Sequence, residues 1–337
     1  MSIEQPFISV CMPIRNEEKY IESTLQMLLS QDYSKDNFEI IIADGNSCDE
    51  TINIVKRLQE KHPQIIIKNN PKLKSSAGRN IAFEQGQGDI FMIIDGHCNI
   101  PNDQLFNNTI KCFEKSGAEC LGRPQPLSPP NISKFQQLVA DARSSSIGHA
   151  SNSLIYSTFE GFVSPQSHGA TYKRSVVEKI HSFDESFDAC EDVEFNLRVE
   201  GAGFKTFMSP ALTVKYYPRE SLLALYKQMQ EYGKGRIKLL KKHPQTFSIK
   251  ALLPLFFISG LITNLLAIFV GANSEVITVL IAPYILYLIL ISICSLRLSS
   301  SGIGKNTFCF LFIFITIHAG LGVGQLKGMF IAKKSGH

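Results

Sequence analysis

The sequence contains no tryptophan, none of its eight cysteines stands in a CxxC pair, and three long stretches carry no charged residue. Cys11, Cys48, Cys98, Cys112, Cys120, Cys190, Cys294 and Cys309 are scattered without the spacing of a disulfide framework, so reduced thiols are expected. The uncharged stretches, residues 251–274, 276–296 and 306–326, each approach the ~20 residues that cross a bilayer. They exclude a wholly soluble chain. The first ~25 residues also lack the basic start and apolar middle of a secretory signal, so the soluble part is expected to stay in the cytosol.

What is present fits that division. At 337 residues the chain exceeds one typical domain, and 44% hydrophobic residues with a mean hydropathy of +0.03 exceed what a soluble domain needs. We divide it into a folded part over residues 1–218, a basic amphipathic helix over 219–250 and a membrane region of two to three helices over 251–331. In the middle segment eight Lys/Arg face two Glu. Leu222, Leu225, Tyr226, Met229, Tyr232, Ile237 and Leu240 form one stripe there, which suits an anionic membrane surface. A basic helix packed on the folded part is the alternative. Basic residues before the first span, with Arg297 and Lys305 after the second, place the folded part inside. Lys333 and Lys334 oppose three complete spans, so a re-entrant last segment is one solution. His318, within an apolar run, is read as structural.

The N-terminal half alternates strand and helix patterns. Phe7–Met12, Phe38–Ala43, Ile65–Ile67 and Ile90–Ile94 read as strands, with Pro13 closing the first. Helical periodicity follows Asn16, Ser47 or Asp49, and Ser75. A doubly wound α/β sheet is the economical result. In such sheets ligands bind beyond the carboxyl ends of the strands, and two of these strands end in Asp44 and Asp95. A lone Asp-Gly ordinarily opens a turn, but two acids at one sheet edge share a ligand readily. Asp95-Gly96-His97 reads as a metal and phosphate site, and the small residues and arginine of Ser75–Asn80 suit a pyrophosphate. Residues 122–168, rich in Pro, Ser and Gly, are not expected to form one rigid element, and loops over an active site often carry acceptor contacts.

Taken in order, Val10–Glu17, the block from Asp44 to Thr51, Ala77-Gly78-Arg79-Asn80, Asp95-Gly96-His97 and Glu191-Asp192 resemble the family 2 glycosyltransferases of the GT-A fold. The likeness covers about residues 7–210. With the apolar C-terminus, the finer likeness is to the succinoglycan-type exopolysaccharide branch. The resemblance implies an enzyme moving a sugar, with inversion, from a nucleotide-diphosphate sugar (a UDP-sugar above all) to a hydroxyl of a lipid-linked or surface glycan. It also implies roles by position. Pro13 and Glu17 line the nucleotide pocket, Asp44 approaches the base, Arg79 lies near base and phosphates, and Asp95 touches ribose and metal-bound diphosphate. His97 stands where a second acid is usual. Carboxylates suit Mg²⁺ and imidazole suits softer ions, so Mn²⁺ stands beside Mg²⁺, the alternative being that His97 only hydrogen-bonds a loop. Gly169-Ala170 resembles the strand bordering the acceptor, with His168 near it.

Breaking the anomeric C–O bond leaves negative charge on the departing diphosphate, which a cation and donors stabilise. The attacking hydroxyl needs a base. By resemblance that base is Asp192, supported by Glu191. Gln228 and Arg236 only loosely match the Gln-x-x-Arg-Trp signature of processive relatives, and without tryptophan single transfers are expected. The protein is placed in the cytoplasmic membrane as a multi-pass enzyme with no nucleic-acid partner. Three alternatives stay open: transfer to polyprenyl phosphate, nucleotidyl transfer, and a non-catalytic membrane sensor or scaffold.

Overall fold

The computed structural model describes residues 5–148, 154–167, 169–299 and 303–330. The chain divides into two compact units, Met1–Ile132 with Asn152–Tyr217, and Ser133–Ser151 with Pro218–His337.

The first unit runs β1 (Ile8–Ile14), α1 (Ile21–Leu29), β2 (Phe38–Asp44), α2 (Thr51–Gln59), β3 (Ile65–Asn69), α3 (Ser75–Gln85), β4 (Ile90–Ile93), β5 (Cys98–Asn99), α4 (Leu105–Ser116) and β6 (Cys120–Gly122). The chain then contributes α5 (Lys134–Ser144) to the second unit. It returns with β7 (Gly161–Val163), β8 (Gly169–Lys173), α6 (Arg174–Ile180), α7 (Glu191–Gly201), β9 (Thr206–Met208) and β10 (Lys215–Tyr216). Eight strands form one sheet in the order β3-β2-β1-β4-β8-β6-β9-β7, while β10 pairs with β5.

Side-chain alternation along buried strands splits the core into two layers. Ile8, Val10, Met12 and Ile14 pack with Ile21, Leu25 and Leu28 on one face; Cys11, Ile41, Phe91 and Ile93 pack with Phe83, Tyr172 and Phe195 on the other. Each such large side chain contributes about 1.5–3 kcal/mol by leaving water. That is why the continuous apolar runs were legible as strands covered on both sides.

One expectation needs correction and two gain detail. Pro13 does not close β1, which continues in register with β2 through Pro13–Ala43 and Ile14–Asp44. Pairing with β4 stops at Cys11, so proline sits where one flank of the ladder is already open. The strands that the sequence marked are parallel across β3-β2-β1-β4, and β6 pairs β9 in parallel, but β8 runs antiparallel to both β4 and β6 and β7 antiparallel to β9, so the sheet is mixed. Residues 122–168 contain a regular helix among their loops. Ser133 and Gln136 make a reciprocal capping box that starts α5.

The second unit comprises α5, α8 (Leu222–Lys242), α9 (Ile249–Phe269), α10 (Ser274–Leu298) and α11 (Lys305–Phe330). The last three are long and apolar enough to cross a membrane. In α9 and α10 only 11% and 6% of the apolar window is buried against protein, against 44% in α11, so the first two leave most of their apolar surface uncovered. The stripe on α8 turns its buried positions Leu225 and Met229 into a cluster with Phe310, Ile313, Phe314 and Ile317 of α11. His318 is tied at both ring nitrogens, Nδ1 2.9 Å from the Tyr287 hydroxyl and Nε2 2.9 Å from the Ile147 carbonyl.

Glycines let α8 and α11 approach backbone to backbone. A Cβ on Gly233 would lie 2.2 Å from the Leu321 carbonyl oxygen, and one on Gly324 would lie 2.1 Å from that of Gln230. Alanine ordinarily stabilises a helix interior over glycine by about 1 kcal/mol. Here Gly324→Ala is expected to destabilise by about 1–3 kcal/mol through overpacking, visible as a lowered Tm in detergent.

Candidate active site

The loops after β1 and β2 are joined by side chains, which fixes everything built on them. Asn16 and Asn46 adopt left-handed backbone (φ 57° and 53°), a conformation asparagine tolerates better than most residues. The Asn16 amide N–H donates to Ser47 Oγ at 2.9 Å, and Ser47 Oγ donates to Asp44 Oδ1 at 2.6 Å. Asp44 therefore spends part of its carboxylate on its own loop. Asp49, not Ser47, serves the start of α2, accepting from Thr51 N–H at 3.1 Å. Thr51 Oγ1 in turn accepts from the Glu17 N–H at 2.7 Å. Pro13 is buried and faces α3, where a Cβ on Gly78 would come within 2.9 Å of the Pro13 Cβ.

The strap after β4 is anchored from beneath. The Thr24 hydroxyl lies 3.0 Å from the Gly96 carbonyl oxygen and 2.8 Å from that of Cys98. Gly96 lets Glu17 come close, since a Cβ there would meet Glu17 Cγ at 3.0 Å. Glu17 Oε1 is 2.8 Å from His97 Nδ1, and the His97 ring meets Tyr216 edge-on with centroids 6.1 Å apart. Sequence reading assigned Glu17 to the nucleotide; in the fold its carboxylate reaches the imidazole.

A second set of side chains ties α3 to the segment before α7. Ser76 Oγ donates to the Phe187 carbonyl at 3.0 Å, and Asn80 exchanges hydrogen bonds with the Phe183 backbone at 2.7 and 3.0 Å. Cys190, in left-handed backbone at φ 62°, then turns the chain into α7. Its first residue, Glu191, is buried and accepts from Ser75 Oγ at 2.6 Å. Asp192 follows, with Oδ1 accepting from Val193 N–H at 2.8 Å. Glu194 is fully buried and pairs with Arg198 at 2.9 Å.

Arg79 joins these sets. Only 8% exposed, it holds Nη1 3.0 Å from Glu191 Oε1 and Nη2 3.7 Å from Asp95 Oδ1. The Glu191 contact is an ion pair without hydrogen-bond alignment, so Nε and Nη1 keep unspent N–H groups. Burial alone would lower the Arg79 pKa, but Glu191, Asp95 and Asp192 outweigh it and hold the guanidinium charged. The spacing of these residues in sequence concealed this bridge. Arg123 also escaped notice as a site residue. It is 3% exposed and donates to the Ile93 carbonyl at the end of β4 and to Tyr216 Oη at 3.2 Å. Burial and the nearby Asp95 keep the Tyr216 phenol protonated. An arginine immediately after the apolar β6 was the available signal. His168 lies outside the described residues.

Among the described residues no three His, Cys, Asp or Glu side chains form a ready cage for a metal. Asp95 and His97 nevertheless fit a cation that takes its remaining ligands from a diphosphate, since nucleotide-bound divalent ions often use one or two protein side chains. The carboxylate behind His97 Nδ1 is the partner that metal-ligating histidines ordinarily have. None of the eight cysteines is joined in a disulfide.

A family model described as Glycosyl transferase family 2 matches residues 9–180, and one described as Glycosyl transferase family group 2 matches residues 126–299. The chain is 31% identical over 272 residues to the dolichyl N-acetyl-alpha-D-glucosaminyl phosphate 3-beta-D-2,3-diacetamido-2,3-dideoxy-beta-D-glucuronosyltransferase of Methanococcus voltae, covering 78% of this chain and 84% of that one. It is 30% identical to the succinoglycan biosynthesis protein ExoA of Rhizobium meliloti, covering 73% and 74%. Among solved structures, the mannosyltransferase PcManGT of Pyrobaculum calidifontis, in complex with GDP-Man and Mn²⁺, superposes with a TM-score of 0.64 at 16% identity, covering 98% of this chain and 89% of that one. The fold is therefore of the GT-A type. The chain belongs to glycosyltransferase family 2 and is a glycosyltransferase.

Proposed function

We propose that the protein is a membrane-attached inverting glycosyltransferase that moves a sugar from a nucleotide-diphosphate donor to a hydroxyl of a lipid-linked or surface glycan. The observation that carries this reading is Arg79, which gathers the acid at the end of β4 and the acids at the start of α7 around one buried guanidinium. Those are the donor-side and acceptor-side groups that such a transfer needs close together. Pro13, Glu17, Asp44, Arg79 and Asp95 form the donor side, and Glu191 with Asp192 forms the acceptor side, with His168 assigned there by resemblance alone.

Asp192 takes the proton of the acceptor hydroxyl as its oxygen attacks the anomeric carbon, the C–O bond to the diphosphate breaks, and the configuration inverts. Glu191 is engaged by Ser75 and Arg79, so it orients the arginine and leaves the proton to its neighbour. Arg79 keeps its positive charge beside Asp95, on the side where the leaving diphosphate would develop its charge. A divalent cation, Mn²⁺ or Mg²⁺, held by Asp95 and His97, supplies positive charge to that diphosphate when bound.

The relatives, one named for a dolichyl-linked sugar and one for succinoglycan, support a lipid-linked or exopolysaccharide acceptor. Attachment to the cytoplasmic membrane rests on α9 and α10, with the basic α8 before them. The last turns of α11 lie beside the first turn of α9, where Gln325 Nε2 donates to the Ala251 carbonyl. That arrangement brings Lys327 to the end that carries Lys250.

The test is nucleotide diphosphate release from a panel of UDP-, GDP- and dTDP-sugars by membranes containing the protein, with Mn²⁺, Mg²⁺ or EDTA and with or without lipid extract. We expect release from one sugar nucleotide, dependent on a metal and stimulated by lipid extract. Release from none of the donors under any metal would overturn the assignment.

A further inference from the structure

We infer that Glu17 is a positioning residue for the metal site, fixing His97 through Nδ1 so that the imidazole presents Nε2 as a ligand and borrows the charge of the carboxylate behind it. This rests on the reading that Asp95 and His97 hold a divalent cation. In that reading a histidine stands where a second acid is usual, which would leave the site one negative charge short. The geometry restores that charge at one remove.

The pair is built from both sides. Glu17 Oε1 lies 2.8 Å from His97 Nδ1, both side chains are largely buried, and they are 80 residues apart in sequence. The Glu17 backbone is held by Thr51 Oγ1 at 2.7 Å, through the loops that Asn16 and Ser47 bind together. Its side chain runs over Gly96, where any Cβ would press on Glu17 Cγ at 3.0 Å and Cβ at 3.3 Å. His97 is steadied by the Thr24 anchors on either side of it and by the edge of Tyr216. A carboxylate at Nδ1 selects the tautomer that carries its proton there and leaves a lone pair at Nε2. It also makes that lone pair more basic. Glu17 thus acts on the metal through the imidazole, and an imidazole ligand tilts the site toward Mn²⁺ over Mg²⁺.

The experiment is Mn²⁺ binding to the purified full-length protein in detergent, read by loss of the free Mn²⁺ electron paramagnetic signal in the presence of UDP and, separately, GDP. Glu17→Ala is expected to weaken Mn²⁺ binding by about 10–100-fold, the usual effect of losing such an outer partner. Glu17→Gln should fall between it and the native protein, because an amide oxygen still accepts the Nδ1 proton but lends no charge. His97→Asp should move the preference toward Mg²⁺. In the His97→Asp background, Glu17→Ala should change Mn²⁺ binding by no more than about twofold, since no imidazole remains to be positioned; a purely structural role for Glu17 would weaken binding equally in both backgrounds and overturn the inference. Native-like Mn²⁺ binding in Glu17→Ala, with loss in His97→Ala, would overturn it while leaving the metal reading in place. No Mn²⁺ bound by the native protein with either nucleotide would instead remove the metal reading, and this inference with it.

Discussion

Asp192→Asn is expected to lower sugar transfer by about 10²–10⁴-fold, the usual range for loss of a general base, with donor binding little changed. The substitution is nearly isosteric, and an asparagine oxygen can still accept from Val193 N–H at the start of α7. A carboxylate is ionised at neutral pH and takes the hydroxyl proton as the new bond forms; an amide has no comparable basicity. Steady-state kinetics with saturating donor, beside a direct measurement of nucleotide-sugar binding, separates the two effects. If the acceptor were polyprenyl phosphate, already anionic, most of the activity would survive, and the hydroxyl-acceptor assignment would have to be withdrawn.

Arg79→Met should cost about 3–5 kcal/mol of stability, the range for removing one partner of a buried ion pair. The Arg79 and Glu191 side chains are each only 9% exposed, so solvent screens their contact weakly. Methionine fills most of the volume yet leaves Glu191 buried with only the Ser75 hydroxyl, and Asp95 without its cation. Thermal unfolding in detergent would show a fall in Tm of at least about 5 °C. Glu191→Leu added to Arg79→Met should recover part of that loss, because it removes the stranded carboxylate. No change in Tm on Arg79→Met would mean that the ion pair contributes nothing in solution.

Much of the donor side was legible because its information is local. Asp44 and Asp95 terminate apolar runs, and a buried run announces itself residue by residue. The helix starts at Thr51 and Ser75 followed from short polar signals next to periodic segments. What the sequence concealed lies in pairings across long separations. Nothing near Glu17 indicates His97, and nothing near Arg79 indicates Glu191, because each pair meets only after the sheet has assembled. The antiparallel β8 was hidden for another reason. Gly169–Lys173 is a short strand whose direction depends on which neighbours accept it. Helix α5 was obscured by the Pro- and Ser-rich residues around it, although Ser133 with Gln136 carried the capping signal.

The excursion that puts α5 in the second unit has a consequence for biosynthesis. Leu138, Val139 and Ala142 find their apolar partners in Leu225, Met229 and the α11 phenylalanines, all at least 80 residues further along the chain. As the polypeptide emerges, α5 must therefore wait, its greasy side uncovered, while β7 through β10 are still being made. A cut near residue 218, which the linear map invites, would make that wait permanent. The catalytic half is thus not a detachable enzyme: severed from its anchor it would carry an unsheathed helix in its middle, and its solubility would depend on what else happened to cover it.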